Sequence, residues 1–307
     1  MKHLGISGGG TKIAGLYGAA ESIFLDKNYQ PDIISGISAG ALLSVPLAMR
    51  KFDQIKSIVL SFGLKQIFSK SPITKNGGLK LWNTVSSIVL GRYFLGKQKN
   101  VETTLSSIIT KADFEAYKKN DNYPVCIVGA VDFYTGGRVF VNLKEVSYDL
   151  FLKFVNASAS IPIYSGGIKL NQPFYDFEGT LIKDKVLLYD GGVRDHSPTH
   201  RVIGSNAFDI TESCTIFSRP YDNEILNPDD FSPKNIFSIL SRYIEITNTE
   251  VSKNDELLEV YLIQDKNIKD HGTIFLPRVM QGVFDVNNTR LRKLYMAGKD
   301  SVKKGWK

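Results

Sequence analysis

Cysteine and long apolar runs are both scarce in this sequence. Cys126 and Cys214 are the only cysteines among 307 residues, too few for the disulfide framework of a small secreted domain. No apolar stretch approaches the roughly 20 residues that a membrane-spanning helix needs. Residues 1–4 lead directly into a predicted strand, so the pattern predicts no signal peptide. We therefore expect a globular, cytoplasmic protein, a class that fits the mean hydropathy of -0.10.

Acidic residues are fewer than basic ones, and the difference is concentrated in two segments. The chain has 38 Lys and Arg against 31 Asp and Glu. Segments 50–80 and 287–307 each contain seven basic residues and one acidic residue. Such clusters bind anionic lipid with about 1 kcal/mol per residue, and Trp306 suits a bilayer interface. We expect peripheral membrane contact through these segments, with a solvated helix face as the alternative. No recognition motif accompanies the charge, so nucleic-acid binding is not expected.

Residues 36–40, Gly-Ile-Ser-Ala-Gly, have the G-x-S-x-G pattern of a serine nucleophile elbow. They lie between a predicted strand over residues 31–35 and an apolar sequence that predicts a helix. A strand, a sharp turn and a helix are the context in which this pattern has catalytic meaning. Gly36 and Gly40 lack a Cβ that would collide with backbone in the strained turn. Ser38 is therefore the candidate nucleophile.

Gly8-Gly9-Gly10 forms a second glycine-rich turn, between a predicted strand over residues 2–7 and a predicted helix over residues 11–24. Apolar residues at helical spacing support that helix. Backbone N–H groups in such a loop converge on an anion. In an acyl-transfer enzyme the anion is the oxygen of the tetrahedral intermediate, where each fixed donor is worth about 3–4 kcal/mol. A tight turn and a phosphate loop are the alternatives.

Asp190-Gly191-Gly192 follows a predicted strand over residues 185–189. We expect its carboxylate at the carboxyl-terminal end of the strand, where catalytic groups gather in open α/β sheets. An ordinary Asp-Gly turn is the alternative for this sequence taken by itself. An anion loop, a nucleophile elbow and a carboxylate turn, each after a predicted strand, together favour acyl-transfer chemistry.

These three blocks resemble the signature blocks of the patatin-like phospholipases. Weaker similarities to that family occur between them, at residues 91–96, 131–136 and 157–162. The resemblance extends from about residue 3 to 200. Two positions depart from it: Ile13 replaces a frequent glycine, and Ser7 replaces a frequent aspartate. Neither position supplies an oxyanion N–H group, so we interpret both as variation.

The resemblance implies a three-layer α/β/α fold with a central mixed, mostly parallel sheet. It also implies a Ser–Asp dyad, in which Ser38 attacks an ester carbonyl and Asp190 accepts its proton. Gly9 and Gly10 would hold the oxyanion through their N–H groups, and Lys12 matches the basic position of the family loop. The implied substrate is a membrane phospholipid or another acyl lipid, with no cofactor and no metal. The remaining motif-supporting residues are Gly8, Gly36, Gly40, Gly191 and Gly192.

The chain divides into a predicted catalytic core over residues 1–205 and a C-terminal part of the same domain over residues 206–307. An apolar helix predicted around residues 79–90 is a candidate lid or acyl-chain wall within segment 50–100. The C-terminal part is expected to contain helices around residues 236–247, a late strand over 256–263 and a basic C-terminal helix.

Three alternatives remain at this point. His271 or His196 formally completes a Ser–Asp–His triad with Ser38, although too few strands precede residue 38 for an α/β-hydrolase. The loop at residues 8–12 resembles the phosphate loop of actin-like sugar kinases, but Ser7 stands where those loops have aspartate. A catalytically silent lipid-binding relative is the third. The head group, the acyl position, any activator and the oligomeric state are not determined by the sequence.

Overall fold

A computed structural model of the chain describes residues 1–72, 80, 92, 94–182, 185–221, 236–280 and 285–306. Over these residues the chain forms a mixed sheet between two layers of helices. The strands are β1 Lys2–Ile6, β2 Ile33–Ile37, β3 Val125–Asp132, β4 Arg138–Asn142, β5 Ile168–Leu170, β6 Phe174–Tyr175, β7 Leu181–Ile182, β8 Val186–Asp190, β9 Glu212–Phe217 and β10 Asp270–Phe275. The helices are α1 Ile13–Leu25, α2 Ala39–Ala48, α3 Phe52–Leu60, α4 Leu64–Ile67, α5 Asn100–Ile108, α6 Lys111–Lys119, α7 Tyr148–Ser158, α8 Thr199–Gly204, α9 Ile236–Asp265 and α10 Asn288–Gly305. The predicted α/β/α class is confirmed.

The parallel part of the sheet has the order β10-β9-β1-β2-β3. Strand β1 is central, since His3 pairs with Ile33 of β2 on one side and with Ser213 of β9 on the other. Parallel strands bring their carboxyl-terminal ends to one edge of a sheet. The glycine loop after β1 and Ser38 after β2 therefore lie at the same edge.

Strands β2 and β8 share one edge of β3 and meet there end to end. Ile37, the last residue of β2, pairs with Gly129, and Asp190, the last residue of β8, pairs with Ala130. Strand β4 occupies the other edge of β3. Because β8 runs antiparallel to β3, its carboxyl-terminal end faces that of β2. Asp190 thus lies at the carboxyl-terminal end of its strand, as predicted, and the antiparallel direction of β8 is what brings it level with Ser38.

The two faces of the sheet contact separate apolar clusters, because successive side chains of a strand point to opposite faces. Ile34 belongs to the larger cluster, which α1, α2, α7 and α10 cover. Ile33 and Ile37 belong to the smaller cluster, together with Val202 of α8 and Leu262 of α9. The sheet is consequently enclosed on both faces, as the alternating pattern predicts.

The predicted late strand over residues 256–263 is wrong. Those residues continue α9, and the late strand is β10. Their apolar and β-branched residues imitate a strand, but burial follows helical spacing, with Ser252, Asp255 and Glu259 turned inward. The contacts that these buried polar residues make in the folded protein outweigh the local propensity for a strand.

Two further expectations meet the structure in different ways. The candidate lid helix around residues 79–90 falls almost entirely outside the described residues. Trp306, expected at a bilayer interface, instead packs edge-on against Tyr29, with ring centroids 5.4 Å apart. Tyr29 in turn donates its hydroxyl to the His3 carbonyl at 3.0 Å, so Trp306 lies near the amino-terminal end of β1. Among the described helices, none combines the length and apolarity that crossing a bilayer requires.

Candidate active site

Ser38 occupies a strained turn between β2 and α2. Its backbone has φ 54° and ψ -116°, a conformation that costs about 1–3 kcal/mol for a residue with a side chain. The backbone N–H of Ser38 donates to the Ser158 hydroxyl at 2.9 Å, and that hydroxyl donates to the Gly129 carbonyl at 2.5 Å. Ser158 thereby ties the turn to β3. The predicted elbow geometry is present.

Both flanking glycines are required by close approach of backbone. A Cβ on Gly36 would lie 2.4 Å from the carbonyl oxygen of Gly40, and a Cβ on Gly40 would lie 2.1 Å from the carbonyl oxygen of Ile6. No real Cβ contact is that short, and a backbone oxygen cannot swing aside as a flexible side chain can. The two glycines therefore let β1, β2 and α2 meet at the serine.

The glycine loop after β1 uses one of its three glycine N–H groups in a hydrogen bond among the described residues. Gly8 N–H donates to the His196 carbonyl at 2.8 Å, and the Ser218 hydroxyl donates to the Gly8 carbonyl at 2.5 Å. Within the part of the chain that the structure describes, the N–H groups of Gly9 and Gly10 have no hydrogen-bond partner. Since both glycines line the same cavity as Ser38, these two N–H groups can serve an anion there.

Asp190 is buried beside Ser38, and only 6% of it is exposed. Its Oδ1 accepts the Gly192 N–H at 2.8 Å, and its own N–H donates to the Ser160 carbonyl at 3.0 Å. Burial raises the pKa of Asp190 to about 6, although hydrogen bonds from the Ser38 side chain and the Gly192 N–H act in the opposite direction. A carboxylate with such a pKa can exchange a proton near neutral pH.

His196 is the histidine that the fold brings to this cavity. Burial, reinforced by the charges of Lys12 and Arg219, lowers the pKa of His196 to about 3. Its imidazole is therefore neutral at neutral pH. His271, the other triad candidate, lies on β10 and donates to or accepts from Thr273 at 2.8 Å. It does not line the cavity.

The cavity has a volume of about 370 Å³ and two chemically different parts. Phe133, Ile161, Ile163, Val193, Leu240 and Ile244 form its apolar lining. Lys12, Arg219 and Arg278 supply three cationic groups, with Glu245 as the acidic neighbour of Arg278 at 3.5 Å. Burial lowers the pKa of Lys12. A site of this kind accepts a ligand with an apolar body and an anionic group.

Asp255 of α9 holds the loop that follows Asp190. Its Oδ2 accepts the backbone N–H groups of His196 and Ser197 at 2.5 and 2.8 Å. Since the His196 carbonyl accepts the Gly8 N–H, a chain of hydrogen bonds runs from α9 through this loop to the glycine loop. Residues remote from the serine thus help to position its neighbours.

Asp195, His200 and Asp255 form a buried cluster whose potential ligand atoms lie within 4.8 Å of one another. His200 Nε2 is 3.3 Å from Asp195 and Nδ1 is 3.8 Å from Asp255. Arg138 and Arg201 also approach Asp195, at 2.5 and 3.8 Å. With two guanidinium groups already at one carboxylate, the cluster fits an ion-pair network better than the oxygen-rich cage of a divalent cation.

The structure brings most of the predicted site residues together and adds others. Ser38, Asp190, Gly8, Gly9, Gly10, Lys12 and Gly192 all line the cavity. The cavity lining does not include Gly36, Gly40 or Gly191. These glycines lie where backbone segments approach too closely for a side chain. The sequence reasoning missed Ser158, Asp255, Arg219, Arg278 and the α9 wall. Ser158 lies in the block at residues 157–162 that resembles the family, but the sequence reasoning assigned it no role. No motif marks the other residues, which only the strand register and the helix packing bring to the site.

Fold and site together define an α/β protein with a serine nucleophile elbow, a glycine-rich anion loop and a buried aspartate at one cavity. A profile described as Patatin-like phospholipase matches residues 4–203. The chain therefore belongs to the patatin-like phospholipase family. The structure does not favour the actin-like kinase alternative. The phosphate loop of those kinases lies between the strands of a hairpin, whereas the glycine loop here leads into α1. No curated protein sequence matches the chain significantly.

Two solved structures resemble the chain to different degrees. VipD from Legionella pneumophila superposes with a TM-score of 0.52 at 14% identity, covering 99% of this chain and 66% of that one. The ExoU–SpcU complex from the type III secretion system of Pseudomonas aeruginosa gives a TM-score of 0.30 at 15% identity, covering 87% and 51%. The similarity to VipD is one of fold. The chain spans less than two thirds of either relative.

Proposed function

We propose that this chain hydrolyses fatty acyl esters of phospholipids through Ser38 and Asp190. The observation that carries the proposal is their shared burial at one cavity, where Ser38 is 7% and Asp190 6% exposed. Ser38 supplies an oxygen nucleophile in a strained turn, and Asp190 supplies a base whose pKa lies within reach of neutral pH. Their geometry suits covalent catalysis.

In the proposed acylation step, Ser38 Oγ attacks the ester carbonyl carbon and its proton passes to Asp190. The resulting oxyanion accepts hydrogen bonds from the N–H groups of Gly9 and Gly10. The intermediate collapses, the ester C–O bond breaks, and the departing lysophospholipid oxygen takes the proton from Asp190. Water then attacks the acyl-enzyme and gives a proton to Asp190, which returns it to Ser38 Oγ as the fatty acid leaves.

The choice of Asp190 over His196 as the base rests on their opposite pKa shifts. A general base works best when its pKa is near the operating pH. The pKa of Asp190 is raised to about 6, whereas that of His196 is lowered to about 3. Deprotonated His196 is thus a much weaker base, and we assign it to packing beside Gly8.

The cavity lining supports a lipid substrate with an anionic head group. An acyl chain fits against the apolar side chains, and Phe133, Ile163 and Val193 remain between 43% and 44% exposed at the same cavity. Exposed apolar residues at a cavity mouth suit contact with a lipid surface. Lys12 and Arg278 suit a phosphate.

Of the two basic segments, the first supports approach to an anionic membrane. The backbone of Lys70 forms an isolated antiparallel β-bridge with that of Lys97. Two residues before Lys97, the Leu95 N–H donates to the Ile163 carbonyl at 2.9 Å. The backbone at Lys97 is thus two residues from a contact with Ile163, and both lysines are exposed. We propose that Lys70, from the first segment, and Lys97 beside it contact anionic lipid. The end of the second segment, by contrast, lies with Trp306 near the amino-terminal end of β1, away from the cavity.

The test is release of fatty acid from mixed phospholipid vesicles by wild type, Ser38→Ala, Asp190→Asn and His196→Asn, each checked for folding by circular dichroism. We expect Ser38→Ala and Asp190→Asn to lose at least about 10³-fold in kcat. His196→Asn should stay within about tenfold of wild type. Labelling by a fluorophosphonate probe provides a readout of Ser38 that does not depend on the choice of lipid.

Each outcome has a distinct meaning. Release that survives Ser38→Ala, or that is lost with His196→Asn but not with Asp190→Asn, contradicts the dyad. A wild type that neither releases fatty acid nor reacts with the probe is the catalytically silent relative. Probe labelling without release supports the nucleophile and contradicts phospholipid as the substrate under those conditions.

A further inference from the structure

Helix α9 turns apolar residues such as Leu262 toward the protein, but unlike an ordinary surface helix it also buries polar residues and exposes an apolar stripe. Ser252, Asp255 and Glu259 face the protein body and are each no more than 3% exposed. Leu257 and Tyr261 face outward and are 69% and 63% exposed. Surface helices normally bury the apolar stripe and expose the charged one. The outward face of α9 therefore has the composition of a surface that another element covers.

The outward residues follow alternating steps of four and three. Positions at this spacing are Ile239, Tyr243, Ile246, Glu250, Lys253, Leu257, Val260 and Gln264. Every one is apolar except the central pair and the last. This is the a/d spacing through which two helices pack side by side in a coiled coil. We refer to these eight positions as the outer stripe of α9.

The order of residues in the outer stripe matches that of a second copy running in the opposite direction. An antiparallel pair with its twofold axis between residues 251 and 252 sets Glu250 against Lys253 of the second copy, and the reverse contact forms at the same time. Ile246 then meets Leu257, and Tyr243 meets Val260. A twofold interface must be complementary to itself in this way. The central charges already form an ion pair with each other within one helix, at 2.6 Å, and in the dimer each also faces the opposite charge of the second copy.

We propose that the outer stripe is the interface through which two copies of this chain form an antiparallel dimer. The stripe from residue 239 to 264 is about 38 Å long at 1.5 Å per residue. It carries exposed aromatic and branched aliphatic side chains on both sides of a charged centre. Such a composition, an apolar patch with a polar pair that fixes register, specifies one partner and one direction.

The charge of α9 argues against a lipid bilayer as the occupant. The helix has two basic residues, Arg242 and Lys253, and six acidic ones. Helices that lie in a membrane interface are rich in lysine and arginine on their polar face. Apart from Glu250, four of the acidic residues are buried or ion-paired within the chain, but the outward face offers only Lys253 as a cation, and Lys253 already pairs with Glu250. This face therefore has no net positive charge with which to attract anionic lipid.

The dimer also bears on the cavity, because Tyr243 belongs both to the outer stripe and to the cavity lining. In the antiparallel pair, Val260 of the second copy packs over the outward side of Tyr243 and fixes that part of the wall. The interface itself does not depend on the proposed catalytic chemistry, since no outer-stripe residue takes part in it.

The first test is sedimentation equilibrium of the full chain in the absence of lipid. We expect a dimer in wild type and a weakening of association by at least about 100-fold in Leu257→Glu, which buries two charges in the apolar part of the interface. Leu258→Glu is the matched control, because Leu258 is adjacent and 48% exposed but lies off the stripe. It should leave the dimer intact.

The second test fixes the direction of the helices. Ile246→Cys and Leu257→Cys chains are mixed and oxidised, with Cys126 and Cys214 buried and out of reach. We expect a cross-link between the two variants and none within either alone, because equivalent positions in an antiparallel pair lie about 16 Å apart. A wild-type monomer, or a dimer unaffected by Leu257→Glu, overturns the proposal. So does cross-linking within each variant alone. A monomer whose vesicle binding depends on Leu257 assigns the stripe to lipid instead.

Discussion

Ile37 and Asp190 pair with consecutive residues of β3, Gly129 and Ala130, from two strands that point toward each other along one edge. Ser38 directly follows Ile37. The separation of the candidate nucleophile and base is therefore fixed by backbone hydrogen bonds of the sheet and not by a mobile loop. Sites built on regular elements hold their geometry more tightly than sites built on loops.

Removing the Ser158 hydroxyl should slow catalysis without preventing folding. Ser158→Ala leaves the Ser38 N–H without its partner at 2.9 Å and frees the elbow from β3. Because small displacements of a nucleophile cost rate, we expect kcat for fatty acid release to fall about 10–100-fold with KM little changed. Ser165→Ala is the control, since that hydroxyl bonds the Ile161 carbonyl. Equal kcat in the two variants would contradict the role of Ser158.

The pH dependence of kcat/KM should report the ionisation of Asp190. The base must be deprotonated to accept the Ser38 proton, and its pKa is raised to about 6 by burial. We expect kcat/KM to rise with pH and to reach half its plateau near pH 6. The same midpoint should persist in His196→Asn. A midpoint that shifts or disappears with His196→Asn would assign the base to the histidine.

Asp190→Asn should make the protein more stable while inactivating it. The folded-state pKa of Asp190 is about 6 against an ordinary value of 3.8. Its contribution to stability is therefore fully present below about pH 3.8 and is lost as pH rises through 6. Asn carries no charge and can still accept the Gly192 N–H, so the variant should gain up to about 3 kcal/mol at pH 7. Urea unfolding at pH 7 and pH 3.5 tests this, and the gain should vanish at the lower pH.

Asp255→Ala should loosen the loop that carries His196. The substitution removes the acceptor of the His196 and Ser197 N–H groups, and with it the support of the Gly8 N–H. We expect faster hydrogen exchange at these amides and about a tenfold or greater fall in kcat. Asp265→Ala, at the exposed end of the same helix, is the control and should change neither. Unchanged exchange in Asp255→Ala would show that the loop is held by other contacts.

Gly40→Ala should destabilise the fold strongly. The added Cβ would stand 2.1 Å from the Ile6 carbonyl oxygen, so β1 and α2 must separate. We expect the free energy of unfolding to fall by about 3 kcal/mol or more. In Gly272→Ala the added Cβ meets Cys214 Sγ at 3.7 Å, an ordinary contact. That control should stay within about 1 kcal/mol of wild type, and a similar loss in both variants would contradict the steric argument.

What the sequence predicted well was local. The elbow around Ser38 and the turn after Asp190 each depend on a few adjacent residues, and glycine at close-approach positions leaves a visible pattern. The antiparallel direction of β8 could not be predicted, because a strand sequence does not encode which way its neighbour runs. The helix over residues 256–263 was missed because its inward polar contacts form only in the folded chain. One of them is the hydrogen bond that the Thr215 hydroxyl donates to Glu259 at 2.6 Å. The cations Arg219 and Arg278 come from regions without motifs, so tertiary packing alone reveals them.

The central position of β1 has a consequence for how the chain is made. Residues 2–6 pair with residues 212–216 as well as with 33–36, so one edge of the first strand has no partner until some 200 further residues have been synthesised. At typical elongation rates of about 5–20 residues per second, that interval lasts about 10–40 s. During it the nascent chain presents an unpaired, apolar strand edge, a surface that favours aggregation. The yield of folded protein in cells should therefore depend on chaperone capacity and translation speed more than its final stability indicates.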